Sequence, residues 1–305
     1  MSAEAALRVE LARHRQSLGD KHLDTLASIR KLGVLLLAQG KLAEAEPLLT
    51  EALKASRETL GDRHPDTLVS ISHLGSLLQA QGKLEEAEPL LREALVASCE
   101  TLGDRHQSTL VSNSKMGSLL QAQGKLDEAE PLVREALAAS RETLGDRHPS
   151  TLSFINNLGG LLRAQGKLSE AEPLVQEALA ARRKTLGDRH HCTLLSISNL
   201  GTLLQDQGKL GEAEPLLLEA YKGFRSLFGQ RHVHTVSCAH CLGTLLKARG
   251  MHAEAAPLLA MSLEVCALPS CNRSHKLGAK LKHCSGCNSV MYCCPVRCMT
   301  HAAAS

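Results

Sequence analysis

The chain has 305 residues, 43% hydrophobic and 22% charged, with no Trp, two Tyr and three Phe. Aromatics at 2% are too scarce for an ordinary thick core, where Phe, Tyr and Trp dominate, so Leu and Ala must build thin helical layers. Against 35 Lys and Arg stand 32 Asp and Glu, a net charge of +3. That mixed surface lacks the basic stripe of a nucleic-acid binder, and no apolar run approaches the ~18 residues of a membrane span.

Neither nucleic acid nor membrane is therefore expected as a partner. Met1-Ser2-Ala3-Glu4 lacks the basic and apolar regions of a signal peptide. The eleven Cys then read as thiols or metal ligands in a reducing compartment, and a cytoplasmic location is expected.

Internal repetition organises the chain. The triplet Leu18-Gly19-Asp20 returns from Leu60, Leu102, Leu144 and Leu186 and ends as Phe228-Gly229-Gln230, at a constant spacing of 42 residues. A second mark keeps the same beat: Gly40-Lys41, Gly82-Lys83, Gly124-Lys125, Gly166-Lys167, Gly208-Lys209 and Gly250-Met251. Each period thus holds two segments separated by Gly-containing turns.

In chain order, residues 1–20 are expected to be a half repeat. Ala3-Glu4-Ala5-Ala6-Leu7 aligns with Ala87-Glu88-Pro89-Leu90-Leu91 of a second helix, and the partner first helix is absent. A deliberate cap and a cut from a longer array both explain it. Residues 21–265 form the array proper. In the second repeat Leu68, Ile71, Leu74, Leu77 and Leu78 make an i, i+3, i+4 stripe, which predicts a first helix. Asp24, Asp66, Ser108 and Ser150 are expected to cap these helices, with Cys192 and His234 as poorer caps. The run Leu84 to Ala94 predicts the second helix, and Pro89 and its counterparts predict a small kink because an interior Pro loses one hydrogen bond. Gly75 and Ala87, each repeated in all six units, mark close helix approach, since a mid-helix Gly otherwise costs up to ~1 kcal/mol.

This helix-turn-helix pattern resembles the tetratricopeptide repeat, and its strings Leu-Gly-Asp-Arg-His and Glu-Ala-Glu-Pro-Leu look like the kinesin-light-chain-like branch. One departure is Leu at the family's usual aromatic place (Leu78, Leu120, Leu162). The resemblance implies an all-α, right-handed superhelical solenoid of six 42-residue repeats plus the N-terminal half repeat, followed by a small zinc-finger-like tail. It also implies a peptide-binding groove lined by first helices, often with an Asn just before the small Gly. At that place stand Lys31, His73, Lys115, Asn157, Asn199 and Cys241, with Asn156 one residue earlier. Gln79, Gln121, Arg163, Gln205 and Lys247 lie further along the same face. Paired amides can clamp a peptide backbone, so Asn156, Asn157 and Asn199, with Lys115, His73, Gln121, Arg163 and Gln205, are the candidate groove. Solvated residues without a ligand are the alternative for any one of them. A neutral or acidic segment would suit the set.

Residues 266–305 carry seven of the eleven Cys. Cys284-Ser285-Gly286-Cys287 alone can place two thiolates on one tetrahedral ion. The string from Lys282 to Cys293 resembles the middle of a MYND-type zinc finger, a non-catalytic module that recruits peptides. That resemblance implies one ion on Cys266, Cys271, Cys293 and Cys298, or with Cys294 in place of Cys293, and a second on Cys284, Cys287 and His301. The family's fourth place is Arg297, one residue before Cys298, and its closing Trp and His/Cys pair are missing. One zinc is expected, or else a finger too incomplete to fold, because metal supplies ~10–16 kcal/mol to such modules.

Elsewhere, Cys238 and Cys241 read as buried thiols at a helix contact rather than metal ligands. The ladder His22, His64, His106, His148, His190 and His232 reads as turn hydrogen bonding. No phosphate-cradling loop or Ser/His/Asp set is present, and no carboxylate accompanies the tail thiolates, so no enzyme is expected. The reading is a non-enzymatic adaptor for an unidentified protein or peptide. Its rivals are a fragment or sensing half of a larger repeat-containing assembly and, last, a zinc-dependent enzyme. Kinesin heavy chain is not implied as a partner.

Overall fold

In the computed structural model, residues 3–265 are described, and among them every regular element is an α-helix. First helices of 16 residues alternate with second helices that are mostly 19 residues long. They are α1 (Ala3–Leu18), α2 (Leu23–Ala38), α3 (Leu42–Leu60), α4 (Pro65–Ala80), α5 (Leu84–Leu102), α6 (Gln107–Ala122), α7 (Leu126–Leu144), α8 (Pro149–Ala164), α9 (Leu168–Leu186), α10 (His191–Asp206), α11 (Leu210–Phe228), α12 (Val233–Ala248) and α13 (His252–Val265). The helices fall into two compact units that divide at Gln123 and Gly124. In the first unit each of α1 to α5 packs on the next, and α2, α4 and α6 also touch in turn. In the second unit α7 to α13 pack likewise, with α8, α10 and α12 in turn. The tail ligands Cys266, Cys271, Cys284, Cys287, Cys293, Cys298 and His301 lie outside the described residues.

The first helices begin two residues earlier than the Asp and Ser pattern predicts. The cap is the histidine. His64 holds an extended backbone at φ −67°, ψ 138°, and its Nδ1 accepts the amide hydrogen of Asp66 at 3.1 Å. His22, His106, His148, His190 and His232 repeat this bond at 3.2–3.3 Å. A ring nitrogen can do what a Ser or Asp oxygen does at an N-cap, satisfying one orphan amide of the first turn. Asp66 stands inside the helix, where its charge still suits the N-terminal dipole.

A glycine at positive φ follows each helix from α1 to α12. After α4, Gly82 takes φ +78° and the Lys83 amide reaches back to the Leu78 carbonyl at 2.9 Å, which satisfies an otherwise orphaned acceptor. The second helices run through their prolines, as at Pro89 within α5.

Packing follows the stripes. In α4, Leu68, Ile71, Leu77 and Leu78 are buried, while Leu74 is half-buried beside them. In α5, Ala87, Leu91 and Ala94 are buried. Each fully buried Leu or Ile contributes about 1.5–3 kcal/mol, so these layers replace the missing aromatic core. A further core place varies from repeat to repeat, reading His14, Ser56, Ser98, Ser140, Arg182 and Phe224 on the second helices. Across from it, fourteen residues on, stand Ser28, Ser70, Ser112, Phe154, Ser196 and Cys238. His14 meets Ser28 at 2.8 Å, Ser56 meets Ser70 at 3.4 Å and Arg182 meets Ser196 at 3.0 Å.

Charged rungs join successive second helices within each unit. Arg57 Nη2 donates to both carboxylate oxygens of Glu93 at 2.7 and 2.8 Å. Arg15–Glu51, Arg141–Glu177 and Arg183–Glu219 repeat the arrangement. Cys99 occupies the corresponding place in α5. A second series uses the Glu that precedes the proline of a second helix, as in α3 and α7. Gln81 and Lys83 both donate to Glu46, at 2.6 and 3.3 Å, as Gln165 and Lys167 do to Glu130.

Candidate functional site

Direct contact between first helices leaves one face of each helix toward solvent. In the first unit that face is cationic. Lys115, on α6, donates to the Ser72 carbonyl of α4 at 3.0 Å, and burial pushes its ammonium down to about 8. His73 lies beside it, half-buried, with Nδ1 buried and making no hydrogen bond. Burial first, then the charges of Lys115 and Arg30, push its pKa down to about 3, so the ring is neutral at ordinary pH. Arg30 is tied to Asp66 at 2.7 Å. Lys31 is exposed, 3.7 Å from Glu10. Gln79 donates to Ser118 at 3.1 Å, bridging α4 and α6, and Gln121 is half-buried on the same helix.

In the second unit the face is richer in amides. Asn157 is exposed on α8 and Asn199 half-buried on α10, one repeat apart. Arg163 reaches Asp206 at 3.2 Å and Gln205 reaches Thr244 at 3.1 Å, so both span neighbouring first helices.

Asn156 stands apart from the others. It is only 7% exposed, and its amide donates to Ser196 Oγ at 3.0 Å. Ser196 in turn accepts from the buried Arg182, whose guanidinium also reaches the Cys192 carbonyl at 3.0 Å and Ser153 Oγ at 3.2 Å. Asn156 therefore belongs to an interior polar network, and the face retains Asn157 and Asn199. One turn of helix is 3.6 residues, so adjacent residues point about 100° apart, and Asn156 turns inward where Asn157 turns outward. Arg182 was not legible as part of this network. Its only signal was a long cation in a column otherwise filled by Ser, His and Phe.

Cys238 is buried and donates to Ser198 Oγ at 3.3 Å, with its thiol pushed up to about 11 by burial. It is a packing residue between α10 and α12, as the sequence suggests. Among the described residues, no helix is long and apolar enough to cross a membrane.

These capped helix pairs define a helical-repeat protein, and the family follows from comparison. The tetratricopeptide repeat model matches residues 2–58, 27–98, 108–184, 150–226 and 191–267. The chain belongs to the tetratricopeptide repeat family, which is typical of protein–protein interaction scaffolds. A search of curated proteins finds no match. Among solved structures, a kinesin-light-chain-type protein of Podosopora anserina with nearly identical TPR-like repeats is 30% identical, with TM-score 0.51. The alignment covers 66% of this chain and 96% of that one. BtubC (BKLC) of P. vanneervenii is 21% identical over 91% of this chain and 97% of its own, with TM-score 0.54. The apo form of RapI is 15% identical, covering 86% and 90%, with TM-score 0.62. The latter two share the fold.

Proposed function

We propose that this chain is a non-enzymatic adaptor that binds extended peptide segments on the solvent face of its first helices. The observation carrying this reading is the pair Asn157 and Asn199, accessible at equivalent places on adjacent helices. Carboxamides offer both donor and acceptor, so a pair of them can hold the N–H and C=O groups of an extended strand. Gln205 and Arg163 extend the same polar face, and Lys115 with the exposed Lys31 gives the first unit a cationic counterpart suited to acidic residues. A partner binding here pays little reorganisation, because the side chains stand on packed helices. In the tail, the spacing of Cys284 and Cys287 supports a zinc-dependent second docking element, with Cys266, Cys271, Cys293, Cys298 and His301 as further ligands.

The test uses full-length protein to select peptides from a displayed random library, followed by fluorescence anisotropy with the selected sequences. Asn157→Ala combined with Asn199→Ala is expected to weaken binding at least tenfold with the helical circular dichroism unchanged. Selected peptides that bind the double variant with unaltered affinity would remove the amide pair from the function.

A further inference from the structure

The turn that starts α10 differs from its five counterparts. Each first helix is capped by a histidine, but the next two residues elsewhere are Leu23-Asp24, Pro65-Asp66, Gln107-Ser108, Pro149-Ser150 and Val233-His234. Only here do two metal-ligating side chains follow the cap directly, as His190-His191-Cys192. One ligand atom from each of the three lies within 4.8 Å of the others. Cys192 Sγ and His191 Nε2 are 3.2 Å apart, and the His190 and His191 rings lie 4.4 Å apart at 35°. Two ligands bound to one tetrahedral zinc at ~2.0–2.3 Å stand roughly 3.5 Å from each other. The Cys192–His191 pair is therefore close to the edge of such a site before any ion arrives. His191 is exposed and its two neighbours are half-buried, so an ion can enter.

We propose that His190, His191 and Cys192 bind a borderline-soft divalent cation of the zinc class, with solvent at the fourth position. Thiolate and imidazole favour zinc, cobalt, nickel and copper over the oxygen-seeking magnesium and calcium. As the sulfur–metal bond forms, the Cys192 thiol releases its proton to solvent.

Two local groups shape this site. The Arg182 guanidinium, bonded to the Cys192 carbonyl at 3.0 Å, is a fixed cation beside it and opposes a dication. The thiolate offsets one charge, which makes Cys192 the indispensable ligand. His190 Nδ1 already accepts the Cys192 amide at 3.2 Å. Ligation through Nδ1 displaces that amide, and ligation through Nε2 requires the ring proton to move to Nδ1. Either way the ion takes the cap from α10. Metal binding and the start of this helix are thus coupled, which sets this repeat apart from the other five.

The experiment counts ions in the full chain by native mass spectrometry after zinc loading, and follows the sulfur-to-metal charge-transfer band with cobalt in parallel. The tail thiols are themselves proposed metal ligands, so the reading is a difference between proteins that keep every tail Cys. Wild type is expected to hold one more ion than Cys192→Ser and than His191→Gln, while Cys241→Ser matches wild type. His191→Gln alters an exposed position, and helical circular dichroism verifies that each variant folds. An equal count in wild type and Cys192→Ser overturns the site. So does an extra ion that survives His191→Gln, or a wild type that takes up no ion.

Discussion

Gly75 of α4 lies so close to Leu91 of α5 that a Cβ on the glycine would sit 2.6 Å from Leu91 Cδ2 and 2.7 Å from its Cγ. Gly33 and Leu49 make the same approach at 2.6 Å, Gly201 and Leu217 at 2.8 Å. Leu91 is buried, and the atoms met include its branch point, so it cannot swing aside freely. Overpacking costs about 1–3 kcal/mol, whereas Gly→Ala in a helix gains up to ~1 kcal/mol. Gly75→Ala is therefore expected to destabilise by about 1–2 kcal/mol. Gly160 in α8 has nothing within 4 Å of its Cβ position, and Gly160→Ala should stabilise by ~0.5–1 kcal/mol. Urea unfolding of the two variants checks the opposite signs.

The histidine cap predicts a local effect. His64→Ala leaves the Asp66 amide without its acceptor and should cost about 1 kcal/mol, while His64→Asn, which keeps an acceptor, should recover most of it. Hydrogen exchange at the Asp66 amide reads this directly. Faster exchange in the alanine variant and near-normal protection in the asparagine variant are expected.

The pair Arg57–Glu93 predicts a small, salt-sensitive coupling. Both side chains are more than a third exposed, so solvent screens them and a double-mutant cycle should give about 0.5 kcal/mol. Raising salt to ~1 M shortens the screening length to ~3 Å and should reduce that coupling further. A coupling that holds steady with salt would assign the contact to packing.

Lys115 predicts a pH dependence. Its pKa is lowered in the folded state to about 8 by burial, so between about 8 and the unfolded value near 10.5 the unfolded chain binds the extra proton. Stability therefore rises with pH across that window, and below it the full penalty of the buried charge applies. Lys115→Met should stabilise at pH 7 by on the order of 2 kcal/mol, with the gain fading toward about pH 10.5. Because the Lys115 charge also depresses His73, the His73 pKa should rise in the variant, as nuclear magnetic resonance titration would show.

Much of the fold was legible because a repeat states its pattern six times. The stripe from Leu68 to Leu78 and the glycines at 75 and 82 are local signals, fixed by helical periodicity and by backbone geometry. The cap was misplaced by two residues. Asp66 and Ser108 are typical cap residues, and the histidine before them looked like loop. The preference for Asp and Ser is statistical, whereas a ring Nδ1 set at an extended backbone position satisfies the same amide. The candidate face was legible as a column of polar residues, but its membership was not, since Asn156 and Asn157 differ only in direction.

The sequence by itself determined the repeat length, the alternation of first and second helices, and the small residues at their closest approach. All of these depend on neighbours within one period. Tertiary structure decided what lies opposite what. It set Arg57 against Glu93 and Asn156 against Ser196, and it brought Arg182 under Cys192. These pairings join residues 10 to 40 positions apart on different helices, and their partners are fixed by how the helices pack. A buried polar group must find its partner across such a contact. No reading along a single helix could therefore have assigned Arg182 its three acceptors.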